Sequence, residues 1–516
     1  MPHRARDLAE PHPNGMGACA GEALITRDAS TSWMLITTLA IAILFGALSL
    51  AGCDTRSGSP SRRATPAATG EHVYYTYPTG ITLPSGASKP TGGEVAALDT
   101  GTGAMAWRRP TGTPLFKPNE INHVVYVSSY SDDPRASTLD ALDPRAGKAI
   151  WSHTTQGTFA NPPVVVDGTI YVSASQQDST GGFTGIVQAL GERDGALRWQ
   201  ISTAGTPSPA AVDGKTVYVA AMGSPLSDSS LLALDAGTGH VRWRYVSTAQ
   251  LSTLDPRRGP SDALLPPAPI AGLVITISTI RDSHGFAIQS VLALDAGSGK
   301  PRWQYSTGGI VGAPVIAHGA LYISADIVEG NGSYSTLVAL RITDGALLWR
   351  RDAGSDHAAQ VLVTDMAFAE GAEGQGSPSE PRLLVIESHV TQGTTTAAMV
   401  GLSPSDGHAR WTISIGRGSI GAPLLTGDFA LIQALDQSAP NRGTVRMLAI
   451  QPSDGTVRWR QDIGDWPTFN DATPWVVGGS IYDTVTSYSG NTPRVFLIAL
   501  RISDGARQWQ WHVGSP

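Results

Sequence analysis

Residues 161–202 set a pattern that the rest of the chain repeats. "PPVVVD" (162–167) and "GTIYVSAS" (168–175) are β-branched runs that meet at Asp167-Gly168, which is the signal of a tight hairpin. "GIVQAL" (185–190) reads as a third strand and "ALRWQIS" (196–202) as a fourth, after a turn at Gly195. The same order returns as "PAAVDGKTVYVAAM", "APVIAHGALYISAD", "APLLTGDFALIQAL" and "TPWVVGGSIYDTV". Each unit is therefore expected to be four antiparallel strands, A to D. A lone four-stranded sheet cannot bury both faces, so the units must stack on one another.

Every unit ends in the same frame, a glycine followed four residues later by tryptophan. The pairs are Gly103 and Trp107, Gly147 and Trp151, Gly195 and Trp199, Gly239 and Trp243, and Gly299 and Trp303. Then come Gly345 and Trp349, Gly407 and Trp411, Gly455 and Trp459, and Gly505 and Trp509. In the fifth copy the frame reads Gly297-Ser298-Gly299-Lys300, which looks like a phosphate cradle. Pro301 follows, no helix opens, and other copies carry Ala, His or Thr at the lysine position, so the motif is a turn. Glycine supplies the positive φ of the C–D hairpin, and tryptophan is expected to wedge against the next unit. Asp99, Asp143, Asp235 and Asp295 stand four residues before that glycine, where a carboxylate can accept turn N–H groups. Five copies replace it, so it is not read as chemistry.

Successive tryptophans are 44, 48, 44, 60, 46, 62, 48 and 50 residues apart, which is propeller-blade spacing and rules out a string of unrelated domains. Radial stacking into a closed ring protects most sheet edges. The expected fold class is an all-β propeller over residues 71–516. The first copy has no clear strand A, so eight blades are favoured although nine motifs are present.

The net charge of −7, with no basic run longer than a pair such as Arg62-Arg63, argues against a nucleic-acid surface. Residues 33–52 form a long uncharged apolar run ending at Cys53. "LAGC", Leu50 to Cys53, resembles a bacterial lipobox, which implies a signal segment over 1–52, lipidation at Cys53 and a flexible linker over 53–70. An uncleaved transmembrane anchor is the alternative, because the run is long enough to span a membrane. Acidic residues offset Arg4, Arg6 and Arg27 before the apolar run, contrary to a usual signal peptide, and Met16 is a candidate start. By resemblance to sorting rules, Asp54 after a lipidated cysteine would favour inner-membrane retention in a two-membrane cell.

"LDAGTGHVRW" and its eight siblings resemble the tryptophan-docking repeat of the pyrroloquinoline quinone (PQQ) propeller superfamily, over roughly residues 72–512. That superfamily includes quinoprotein alcohol dehydrogenases and also cofactor-free propellers, such as the propeller lipoprotein of the outer-membrane β-barrel assembly machinery. The enzymes would imply PQQ against adjacent, disulfide-linked cysteines, with a calcium ion and an Asp base. This chain has only Cys19 and Cys53, so no adjacent pair exists. The resemblance favours no cofactor, with PQQ and calcium as the alternative.

Other chemistry finds little support. Glu387 and His389, like Asp282 and His284, put a carboxylate two residues before a histidine, and both pairs read as solvated strand or loop ends. Asp326, Glu329 and Asn331 have too few oxygens for a known calcium loop. The long polar B–C loops and the 247–269 insertion between strands D and A should project from one face, where binding is expected. Asp132, Asp133, Arg135, Arg257, Arg258, Asp282 and His284 mark that candidate face. The 370–381 insertion is an A–B loop and should lie opposite. The reading is a membrane-tethered, extracytoplasmic, monomeric scaffold for protein or another envelope macromolecule. The alternatives are a PQQ-dependent alcohol or sugar dehydrogenase, and a sensor or carbohydrate-binding propeller.

Overall fold

The computed structural model describes residues 72–513, apart from 83–87, 133, 178–181, 224–228, 248–249, 252–265, 282–286, 313, 330–331, 354–359, 371–379, 392–393, 428, 440–441, 466–473 and 490–491. The chain is an all-β propeller built of antiparallel sheets that follow one another in sequence order.

Blade 3 shows the design. Strand B (Thr169–Gln177) pairs with strand C (Phe183–Gly191), and C pairs with D (Leu197–Ala204). Strand A is two short pieces, Thr158–Phe159 and Val164–Val166, both on the inner edge of B. The prolines between those pieces, Pro162 and Pro163, have no N–H to give the ladder, so the inner strand breaks there. Strand D carries a register shift opposite Ala189 and Leu190, and the same shift recurs beside the tryptophan of every blade.

Blade 1 differs. Its sheet has three strands, His72–Thr82, Ser88–Asp99 and Met105–Thr111, and among the described residues no inner strand A pairs with it. Blades 7 and 8 share one sheet, because Ala409–Ile420 serves as D of blade 7 and continues into the inner edge of blade 8.

Side chains of strands B and C alternate between the two neighbouring blades, so the core lies in the seams. One cluster joins Tyr322, Ala339 and Trp349 of blade 6 to Val363, Val385 and Val400 of blade 7. Another joins Val73 and Leu98 of blade 1 to Tyr482, Leu497 and Trp509 of blade 9. Among the described residues the ring therefore closes at the ninth repeat, where eight blades were expected. The absence of strand A from the first repeat does not remove it from the ring, because its other three strands fill a complete wedge between blades 9 and 2.

Candidate functional site

The most prominent motif of the sequence is taken up by docking contacts between neighbouring blades. Trp151 of blade 2 lies flat on Gly195 of blade 3, whose φ is +65°. A Cβ there would stand 2.4 Å from a ring carbon. The indole Nε1 of Trp151 donates to the Glu192 carbonyl at 3.0 Å, three residues before that glycine. Each tryptophan repeats this on the next blade, and Trp509 returns to blade 1, with Nε1 donating to the Thr100 carbonyl at 2.8 Å.

A second component went unnoticed in the sequence. Tyr74, Tyr126, Tyr171, Tyr218, Tyr322 and Tyr482, all on strand B, each pack beside the tryptophan of the same blade at 5.7–6.1 Å between ring centroids. Their signal was present in "TVYV", "ALYI" and "SIYD".

The turn carboxylates are also more regular than the sequence suggested. Asp235 accepts from the Gly237 and Thr238 N–H groups and the Thr238 hydroxyl at 2.9–3.1 Å, and Arg242 joins it at 2.7 Å. That guanidinium, followed by the Thr238 hydroxyl, holds the Asp235 pKa down at about 2. Where the position is lost, the residue directly before the glycine replaces it. Asp194, Asp344, Asp406, Asp454 and Asp504 each accept an N–H two residues on, at 2.8–3.1 Å. All these carboxylates are committed to turns.

The loop-rich face is represented by its strand ends. Asp132 and Arg135 are cross-strand partners at the tip of the B–C hairpin of blade 2, and both are exposed. Asp133, Arg257, Arg258, Asp282 and His284 lie outside the described residues. Three apolar side chains are exposed at the same end of successive blades: Phe183 in blade 3, Val246 in blade 4 and Ile280 in blade 5, at 40%, 48% and 52%. The flanks of the 371–379 segment lie toward the A–B turns, since Glu370 pairs with His318 in the A–B turn of blade 6 at 2.7 Å.

Two buried polar groups stand out. Glu387 is not a solvated strand end, because its side chain is only 8% exposed. It meets Arg351 across the seam between blades 6 and 7 at 3.0 Å, with His389 at 3.6 Å. The alternation of strand B aims both residues at blade 6, where Arg351 follows the docking tryptophan by two positions. Asp326 accepts the Ser335 hydroxyl within blade 6, while the Glu329 side chain and Asn331 lie outside the described residues.

The second group lies at the inner edge. Asp483 of blade 9 is fully buried; Gln433 of blade 8 donates to it, as does the Thr484 N–H at 2.8 Å. Burial pushes its pKa up to about 7. Lys117, from the break in strand A of blade 2, holds its ammonium 4.6 Å from the centre of the Trp475 ring in blade 9. The lysine residue is exposed, yet desolvation around its ammonium brings its pKa down to about 8, against the opposing pull of Asp483. Nothing in the local sequence marks Lys117 or Asp483, since they meet only through ring closure.

A family model described as outer membrane protein assembly factor BamB matches residues 91–253, 183–367 and 374–516, in overlapping frames as a repeat does. The chain belongs to that family. BamB of Moranella endobia is 24% identical over 276 residues, which are 51% of this chain and 63% of the relative. The chain thus spans about three fifths of the length of the curated BamB relatives it matches. The serine/threonine-protein kinase AfsK of Streptomyces griseus is 30% identical over 186 residues, covering 34% of this chain and 19% of the kinase. Among solved structures, BamB from Moraxella catarrhalis matches with a TM-score of 0.40 at 15% identity, over 75% of this chain and 91% of that one.

Both cysteines precede the ring, and among the described residues the buried carboxylates Glu120, Glu387 and Asp483 are dispersed over blades 2, 7 and 9 and do not gather as the calcium ligand set of the enzyme branch. Arg351 and Gln433 already engage the last two.

Proposed function

We propose that this chain is a membrane-tethered, extracytoplasmic propeller that holds protein partners on its loop-rich face, without catalysis of its own. The observation that carries this reading is the family match across the ring, taken with a motif inventory spent on docking and turns. The B–C hairpin ends, including Asp132, Arg135, Phe183 and Ile280, remain as accessible surface of mixed character on a rigid frame. The name of the matched relatives supports assembly of outer membrane proteins as the setting. The lipobox-like Leu50–Cys53 supports a lipid tether.

Two variants test this. Cys53→Ser should release the chain from the membrane fraction and abolish incorporation of labelled fatty acid. Deletion of 252–265 should leave the fold intact and weaken recovery of cross-linked partners. Unchanged partner recovery would count against the loop-rich face.

A further inference from the structure

Blade 1 is the one blade that lacks an inner strand among the described residues, and a side chain crosses at that place. Blade 9 docks on blade 1 through Trp509 and Gly103, and blade 1 docks on blade 2 through Trp107 and Gly147. Lys117 of blade 2 nonetheless reaches Trp475 of blade 9, so its contact passes over a whole blade. Its approach is fixed from below, because the Thr76 hydroxyl on the first strand of blade 1 donates to the Phe116 carbonyl at 3.3 Å. One short segment of blade 2 is therefore held by blade 1 and extends a cation to blade 9.

We infer that Lys117 is the closing pin of the ring, joining blades 2, 1 and 9 at the inner edge in place of a strand ladder. A cation over a tryptophan face is held by the ring quadrupole, and partial desolvation strengthens the contact. Neutral lysine has no such attraction. Trp475 and Asp483 of blade 9 face it. Tyr75 of blade 1 packs in the same cluster as Trp475, and Tyr77 stacks on Tyr75, donates to Glu94 and packs on Trp511 at 5.9 Å. Asp483 is engaged on its other side by Gln433 of blade 8, so the pin also bears on the seam between blades 8 and 9.

Hydrogen exchange on the full-length chain in detergent tests the pin segment by segment. Lys117→Met should speed exchange about tenfold at Trp475–Val477 and His72–Tyr77, relative to Val315–Ala317 on the far side of the ring, and Lys117→Arg should restore it. The exposed-lysine control Lys215→Met should change none of these. Lys117→Gln, which keeps a polar end without the charge, serves if Lys117→Met does not fold, with the same acceleration expected at Trp475–Val477 relative to Val315–Ala317. Equal exchange in Lys117→Met and wild type, or the same acceleration in all three segments, would overturn the inference. So would wild-type exchange in Lys117→Gln.

Discussion

Trp509, in the last strand of the chain, lies on Gly103, the first turn glycine, and its indole N–H reaches the Thr100 carbonyl 409 residues away in sequence. This contact makes nine repeats one closed structure. It is the same contact that joins every other pair of neighbours, so the ring has no specialised joint on its outer side.

The glycine is required on two counts, which predicts an unequal pair of variants. At Gly103 a Cβ would sit 2.6 Å from the Trp509 ring at φ +70°, whereas at Gly168, also +70°, it would meet nothing within 4 Å. Gly168→Ala should cost about 1 kcal/mol for the left-handed backbone. Gly103→Ala should cost about 2–4 kcal/mol, because the ring must also move. Denaturant melts of the two variants check the difference.

Trp509→Phe keeps an aromatic ring and removes the N–H that reaches Thr100. A loss of about 2 kcal/mol is expected from the hydrogen bond and the smaller ring together. Trp151→Phe, in the middle of the ring, should lose a similar amount, since the geometry at Glu192 is the same.

Arg351 and Glu387 predict an asymmetric double-mutant cycle. Arg351→Ala leaves a carboxylate 8% exposed without its cation and should cost about 2–3 kcal/mol, a value reduced because the arginine is itself 27% exposed. Adding Glu387→Gln should recover part of that loss. Urea unfolding of the four proteins yields the coupling.

Asp483 predicts a pH dependence with a definite sign. Its folded pKa, about 7, is above the unfolded value of 3.8, so the protonated form is favoured in the fold. The stability this confers is complete below about pH 4 and is lost as the pH rises to about 7, by roughly 4 kcal/mol over the interval. Asp483→Asn should remove that contribution, so the stability of wild type relative to the variant falls across this window. Parallel melts at pH 4.5, 6 and 7.5 measure it.

The outer part of each blade was legible in the sequence, because Gly-x3-Trp combines two strong local demands: a left-handed turn and a large flat side chain at fixed spacing. The replaced turn aspartates were legible too, once Asp194 or Asp344 is recognised as moving the carboxylate to the position before the glycine. The inner edge was not. Strand A is short and interrupted by proline, so its periodicity is weak. The missing strand in blade 1 suggested a partial module, when the three strands that remain suffice to carry Trp107 and Gly103. Glu387 read as solvated because the sequence does not say that Arg351 of the preceding repeat lies opposite. Lys117 and Asp483 are 366 positions apart and meet only at closure.

The central claim, protein binding on the loop-rich face, is tested most directly by placing a photo-cross-linking residue at Arg135 or Phe183, and at His318 on the opposite side, in the full-length chain in its native membrane. The account predicts discrete protein adducts from positions 135 and 183 and none from 318. Adducts from 318 alone, or no protein adduct from either loop-face position, would contradict it.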